Sequence, residues 1–165
     1  MITVYHGATT KIEYPLVDVG RKDLDFGEGF YMTILYIQAE RWAERLSRQR
    51  MEPMVINCYQ FDDEKAQQNY RYLKFAEYDM EWLNFIVASR KGECPWKGYD
   101  CIEGGVANDR VIDTVEGYIA GTIDAEHALI ELSKNRPNNQ ICVLSQQLAE
   151  ECIMFDKEIN KGYAK

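Results

Sequence analysis

The chain has 165 residues, 46% of them hydrophobic, which predicts one compact domain spanning residues 1–165 with its own core. Its formal net charge of −8 and its isoelectric point near 4.8 oppose a phosphate backbone, so nucleic acid is not an expected partner. Since the sequence starts without a basic leader and lacks a run of about 18 apolar residues, we expect neither export nor a membrane span, and hence a cytoplasmic location.

The first half of the chain predicts strands, a long loop and an amphipathic helix. Residues 2–6 are rich in β-branched side chains and indicate a strand, and 8–28 form a loop with several glycines and charges. A short strand or turn is expected at 30–33. From Gln38 onward, apolar residues recur at helical spacing and predict a helix. The clearest strand lies at 54–61.

The second half mixes helices and strands without a regular strand–helix–strand rhythm. Helices are expected at 82–89 and 125–132, and strands at 99–103 and 140–144, whereas 109–120 fits either type. A last helix is expected to bury four apolar residues, Leu148, Cys152, Phe155 and Ile159. This irregular order favours an α+β fold over a doubly wound α/β fold.

The five cysteines are scattered and lack a Cys-x-x-Cys spacing, which predicts reduced thiols without a zinc site. The candidate chemistry lies in two short segments instead. The first is His6-Gly7, at the end of the first strand. His6 could be a core histidine that bonds a backbone carbonyl. A glycine directly after it, however, suits a place where a flat amide approaches the main chain.

The second segment is Gly29-Phe30-Tyr31. An ordinary aromatic pair in a strand would explain it, but Gly27 and Gly29 also allow a flat ring to stack against Tyr31. The pair Gly27 and Gly29 lacks the third glycine and the flanking strand and helix of a dinucleotide fingerprint, so a Rossmann site is excluded.

Six motifs follow one another in a specific order. They are His6-Gly7, Asp25-Phe26-Gly27-Glu28-Gly29-Phe30-Tyr31, Gln38-Ala39-Glu40-Arg41-Trp42-Ala43, Trp82-Leu83-Asn84-Phe85-Ile86, Tyr99-Asp100 with Gly105-Val106-Ala107-Asn108-Asp109, and Gln140-Ile141. In this order the chain resembles a family of small bacterial domains of unknown function, placed among the ADP-ribosyltransferases with poly(ADP-ribose) polymerases and diphtheria-type toxins. The resemblance implies an ADP-ribosyltransferase-like fold, with two small sheets and flanking helices around an NAD cleft.

The resemblance also implies a role for each site residue. His6 would bond the 2′-hydroxyl of the adenosine ribose, and the backbone of Gly7 would hold the nicotinamide carboxamide. Tyr31 would stack on the nicotinamide ring. The remaining residues expected at NAD are Gly29, Phe30 and Gln38, the last being one position away from a hydroxyl residue of the polymerases that contacts the carboxamide.

The third catalytic position departs from the usual pattern. Active members carry a glutamate on a late strand, and the matching residue here is Gln140. Glutamine can bond the ribose hydroxyl, but it brings no charge and cannot act as a base. Gln140 could equally be an exposed residue that opens the strand. Asp109, which otherwise reads as part of a turn, could then face the acceptor substrate, with Glu103 as a further candidate carboxylate.

The resemblance therefore implies a mono-ADP-ribosyltransferase that moves ADP-ribose from NAD to a protein or other nucleophile and releases nicotinamide, without a metal. A bacterial toxin or effector, with a small neutralising partner protein, is the expected setting. Two alternatives stay open, a catalytically weak NAD-binding or protein-interaction module and a structural domain that does not bind NAD. Trp42 is expected in the core, and His127 at the surface without a role.

Overall fold

Two small sheets form the framework of the computed structural model, which describes residues 1–21, 24–108 and 111–165. The first sheet is antiparallel with the order β1-β3-β7, where β1 is Ile2–Ala8, β3 is Met54–Phe61 and β7 is Ile153–Gly162. The second has the order β2-β6-β5-β4, with β2 at Phe30–Met32, β4 at Tyr72–Lys74, β5 at Cys101–Gly104 and β6 at Gln140–Val143. Its β4–β5 pair is parallel.

Most of the α-helices begin after a short polar side chain that caps the first turn. Within the described residues the helices are α1 (Tyr36–Arg50), α2 (Asp63–Asn69), α3 (Met80–Arg90), α4 (Ile112–Ile119), α5 (Ala125–Ser133) and α6 (Gln146–Cys152). Four of them start after a residue whose side chain accepts a hydrogen bond from a backbone N–H in the first turn, namely Asp62, Asp79, Asp124 and Ser145. None of the helices in the described ranges is long and apolar enough to cross a membrane.

The layers follow from which face of each sheet is apolar. Val4 and Tyr59 of the first sheet pack against Phe30 and Ile141 of the second, so the main core lies between the sheets. Helix α1 covers the outer face of the first sheet with small residues. Helices α3, α4 and α5 cover the outer face of the second sheet, where Trp82 is fully buried. The fold is therefore α+β, as predicted.

Most of the predicted elements are confirmed, but the last one is wrong. The helix expected to continue to Ile159 ends at Cys152, and the chain enters β7 at Ile153. Phe155 and Ile159 are four residues apart, a spacing that places two side chains on one face of a helix and also on one face of a strand. The pairing of β7 with β3 decides for the strand. Residues 112–119, left untyped by the sequence, form α4.

The long loop between β1 and β2 is fixed by amide side chains that bond its backbone. Asn57 accepts from the N–H of Ile12 at 2.8 Å and donates to the carbonyl of Thr10 at 3.0 Å. Gln146 repeats this pattern farther along, at 3.2 Å for both bonds, with the backbone of Val17 and Pro15. Residues 10–17 of the loop therefore lie in a defined position although they form no helix or strand.

Candidate functional site

His6 lies where β1 and β2 separate. Its Nδ1 is 2.6 Å from the carbonyl oxygen of Tyr31, and since a carbonyl only accepts, Nδ1 carries the proton and Nε2 keeps a lone pair. The ring of Phe30 stacks on the imidazole with the ring centres 4.5 Å apart. Burial lowers the pKa of His6, and the bond to Tyr31 offsets only part of this effect. His6 is therefore a neutral imidazole with one defined tautomer.

The hydrogen bond between the His6 ring and the Tyr31 carbonyl takes the place of a backbone hydrogen bond between β1 and β2. Tyr5 and Thr33 exchange both backbone hydrogen bonds, at 2.8 and 3.0 Å, which places Gly7 opposite Tyr31 in the antiparallel register. The carbonyl of Tyr31 bonds the His6 ring instead. The N–H and C=O of Gly7 consequently point toward the open edge of β1, without a partner among the described residues of the second sheet.

Gly7 and Gly29 lie where other segments of the protein pack closely against the backbone. A Cβ on Gly7 would lie 2.1 Å from the carbonyl oxygen of Ala39, so glycine is needed where β1 meets α1. A Cβ on Gly29 would lie 2.5 Å from the carbonyl oxygen of Val143 on β6. The absence of a side chain at these two positions is thus required by the packing of a helix and a strand against them. Gly7 itself is buried, and its backbone N–H and C=O lie on the side of β1 that faces Tyr31.

Phe30 also differs from its predicted role. Its side chain is only 5% exposed and lies in the core between the sheets. On β2 the side chains alternate, so Phe30 faces the core while Tyr31 faces the opposite side of the sheet. Phe30 therefore supports the imidazole of His6 from inside and leaves contact with a ligand to other groups.

Tyr31 and Gln140 are brought together across neighbouring strands. Tyr31 pairs with Cys142 of β6, and Gln140 lies two residues before Cys142 on the same face of the sheet. Such diagonal neighbours are about 7 to 8 Å apart. The hydroxyl of Tyr31 donates to the carbonyl of Gly27 at 2.7 Å, and burial raises the pKa of Tyr31, so the phenol stays neutral. The Gln140 amide donates to Gly105 at 3.5 Å, and within the described residues its oxygen accepts no hydrogen bond.

A polar network fixes the start of β6, and its centre is Asn139. The Asn139 side chain accepts from the N–H of Ile34 at 3.1 Å and donates to Glu103 at 3.1 Å. Gln38 of α1 donates to the Asn139 backbone carbonyl at 2.7 Å. Gln38, expected at a carboxamide, thus holds the segment that leads into Gln140. The sequence analysis missed the role of Asn139, for which the only signal is a polar residue directly before a buried strand.

Glu103 is the buried carboxylate of this region. It is 9% exposed and accepts a hydrogen bond from the Tyr72 hydroxyl at 2.8 Å, besides that from Asn139. The ammonium of Lys74 lies 3.1 Å from the same carboxylate. Three partners thus compensate the buried charge, so Glu103 acts as a structural anchor beside the candidate site.

Trp42 is half-buried on a flank of α1, which corrects its assignment to the core. The buried face of α1 consists of the small residues Ala39, Ala43 and Ser47, which bring the helix close to β1. The larger indole stays at the edge of this face, with the Arg45 guanidinium 5.6 Å from its ring centre. Helical spacing alone could not separate the buried face from its border.

Other predicted features lie elsewhere. Asp109 is outside the described residues. His127 is at the surface, as predicted, where its Nδ1 is 2.7 Å from an Asp124 carboxylate oxygen. A groove of about 570 Å³ runs between α1 and the C-terminal residues, on the side of Glu40 and Lys161. Neither His6, Tyr31 nor Gln140 lines it. The described ranges contain no group of three His, Cys, Asp or Glu side chains arranged for a metal.

The arrangement can accept and donate hydrogen bonds at an uncharged edge. It combines a neutral imidazole with the Gly7 backbone and the Gln140 amide oxygen, for which the described part of the chain supplies no hydrogen-bond partner. Such groups recognise hydroxyls and flat amides without forming an ion pair.

Comparison with known proteins gives one match. Neither a curated protein nor a solved structure matches the chain. A family model described as a protein of unknown function, DUF3990, matches residues 2–155, which include every element from β1 to α6 and the first residues of β7. The chain therefore belongs to the DUF3990 family.

Proposed function

We propose that this protein binds NAD at the separation of β1 and β2 and transfers a single ADP-ribose to a nucleophile, releasing nicotinamide. The observation that carries the proposal is the His6–Tyr31 hydrogen bond, which leaves the N–H and C=O of Gly7 without a backbone partner among the described residues of the second sheet. Gln140 lies on the next strand, on the same face as Tyr31. This combination agrees with the order of motifs that resembles the ADP-ribosyltransferases.

Each group has a partner in NAD. A primary carboxamide presents, along one edge, an N–H donor beside a carbonyl acceptor in one plane, and the backbone N–H and C=O of Gly7 offer the complementary pair. The Nε2 lone pair of His6 accepts from a ribose hydroxyl, because Nδ1 is engaged with Tyr31. The ring of Tyr31 provides the aromatic surface for nicotinamide, with its hydroxyl held by Gly27.

The reaction breaks the bond between the ribose C1′ and the nicotinamide nitrogen. The electron pair leaves with nicotinamide, positive charge develops on the ribose, and the acceptor attacks C1′ and loses its proton. The open amide oxygen of Gln140 accepts from the ribose 2′-hydroxyl and orients the sugar. Since glutamine is neutral, it stabilises the developing charge less than glutamate would, so we expect slow turnover.

A catalytically weak NAD-binding module is the second candidate. One observation favours it, namely that Glu103, on the strand that pairs with the one carrying Gln140, is already bonded to Tyr72, Lys74 and Asn139. A carboxylate held in this way is not available as a base. In this case the protein would bind NAD with the same residues and release no nicotinamide.

Nicotinamide release from NAD by the purified protein separates the two candidates. Gln140→Glu adds a charge beside C1′ and should increase release, while Gln140→Ala should lower it. Removal of a preorganised stabilising group costs about 100-fold to 1000-fold in other enzymes, so even a small part of that effect is measurable. Binding without release in both the native protein and Gln140→Glu would favour the binding module, and absence of NAD binding would reject the proposal.

Tyr31→Ala tests the stacking surface. It should weaken NAD binding by about 1 to 3 kcal/mol if the ring contacts nicotinamide. Tyr31→Phe is the matched control, since it keeps the ring and removes only the bond to Gly27. Circular dichroism checks that both variants fold, and equal affinity of both variants for NAD would contradict the assignment.

A further inference from the structure

The two flanks of α1 face different parts of the molecule. Glu40 forms an ion pair with Lys161 of β7, so this flank points toward the outer edge of the first sheet. Gln38 bonds the backbone of Asn139, so the opposite flank points toward the second sheet. Because β1 is the strand farthest from β7, the Gln38 flank borders the open edge of β1.

Trp42 and Arg45 continue the Gln38 flank along the helix. Residues at i, i+4 and i+7 follow one stripe, and these three have that spacing. Gly7 touches α1 at Ala39 and Ala43, at the level of Trp42. The stripe therefore runs beside the free backbone groups of Gly7 and on past them.

Arg45 has no acidic partner within the part of the chain that the structure describes. Among the described residues no carboxylate pairs with its guanidinium, which rests on the Trp42 ring instead. Arg48, one turn away on the other flank, pairs with Glu44 at 2.6 Å. Arg41 precedes Arg45 by one turn, and two like charges at this spacing repel unless an anion lies nearby.

We propose that Arg45, held over the Trp42 ring, binds the diphosphate of the ligand that occupies the edge of β1. The planar guanidinium donates in pairs to phosphate oxygens, so its geometry suits a diphosphate. Trp42 is a positioning residue in this assignment, because its ring orients the guanidinium. That the diphosphate belongs to NAD rests on the proposed function.

Binding of NAD, nicotinamide and inorganic pyrophosphate, measured by calorimetry, tests the assignment. Arg45→Ala should lower the affinity for NAD and for pyrophosphate by about tenfold to hundredfold, as expected when a charged hydrogen bond is lost. The affinity for nicotinamide should not change. Arg45→Lys should recover only part of the loss, because an ammonium lacks the paired geometry. Trp42→Leu should weaken the same two ligands less than Arg45→Ala does.

Arg48→Ala is the matched control, with the same loss of charge on the opposite flank. It should bind all three probes like the native protein. If pyrophosphate binds the native protein and Arg45→Ala loses it, the Arg45 assignment holds even when NAD does not bind and the proposed function fails. The assignment is overturned if pyrophosphate binds the native protein and Arg45→Ala equally, or binds neither of them. It is also overturned if Arg48→Ala loses pyrophosphate binding as much as Arg45→Ala does.

Discussion

His6 has its imidazole between a buried aromatic ring and a backbone carbonyl, and this environment makes folding sensitive to pH. The pKa of His6 is lowered from 6.5 mainly by burial. The unfolded chain therefore takes up a proton at a higher pH than the folded protein. The contribution of neutral His6 to the free energy of unfolding is complete above about pH 6.5. It is lost as the pH falls toward the lower pKa of His6 in the folded protein.

Urea unfolding between about pH 7.5 and 5.5 measures this contribution. The native protein should lose stability across the range with a steeper slope than His6→Gln, which has no titrating ring. The chain has one other histidine, His127, and its side chain is 71% exposed. His127→Gln should keep the native slope. Equal slopes for the native protein and His6→Gln would contradict the expected role of His6.

Gly7→Ala tests the contact between β1 and α1. The added methyl group would meet the carbonyl oxygen of Ala39 at 2.1 Å, so strand and helix must move apart. We expect a loss of about 1 to 3 kcal/mol in the free energy of unfolding, the usual range for overpacking. Gly98→Ala is the control, since its Cβ would meet no atom within 4 Å. A Gly7→Ala protein as stable as Gly98→Ala would show that the contact is not required.

At the level of elements, the short strand β6 depends on the network around Asn139. Asn139→Asp replaces a donor, 3.1 Å from the Glu103 carboxylate, with a second negative charge. We expect a loss of about 1 to 3 kcal/mol at neutral pH, partly recovered in mild acid, where carboxylates become protonated. Thermal unfolding at two pH values measures both effects.

Asn135→Asp serves as the comparison for this substitution. Asn135 donates to a backbone carbonyl, that of Glu131, at an exposed position. Its replacement should change stability little at either pH. A loss in Asn139→Asp that does not recover in acid would indicate that repulsion from Glu103 is not its cause.

The sequence predicted those elements whose signal is local. The strand at 54–61 and the start of β6 at Gln140 are confirmed because a run of apolar residues marks each one. The sequence predicts a helix in place of β7, because the spacing of Phe155 and Ile159 fits both a helix and a strand. Only the pairing with the free edge of β3 distinguishes these two structures. Such pairing between distant segments leaves no mark in the local pattern.

In the candidate site, too, residues with a local sequence signal could be predicted, whereas contacts between distant segments could not. His6 and Tyr31 could be selected from their residue type and neighbours, and the structure connects them directly. The partners of the glycines could not be predicted, because Gly7 and Gly29 touch segments distant in sequence. Asn139 was missed for the same reason, since its bonds reach Ile34 and Glu103.

At the scale of the whole molecule, the layers enclose four of the five cysteines. Cys58, Cys101, Cys142 and Cys152 are buried, whereas Cys94 is partly exposed. Burial raises the pKa of each buried thiol, to about 12 for Cys142. Since the thiolate is the reactive form, these four should react only when the protein opens.

Titration with a thiol reagent checks this expectation. The native protein should show one reactive thiol, and the protein in denaturant should show all five. Cys94→Ser should remove the fast reaction and leave four thiols after unfolding. Fast modification of a second thiol in native Cys94→Ser would mean that one of the packed layers opens readily.

The tethered loop between β1 and β2 has a consequence for how this family can diverge. Asn57 and Gln146 bond only main-chain atoms of the loop, so they place no demand on the side chains carried there. Exposed loop positions such as Tyr14 and Val19 can therefore be exchanged freely while the path of the loop is preserved. Relatives should vary at these positions and keep the two amides, which would let one framework present different surfaces beside a constant strand edge.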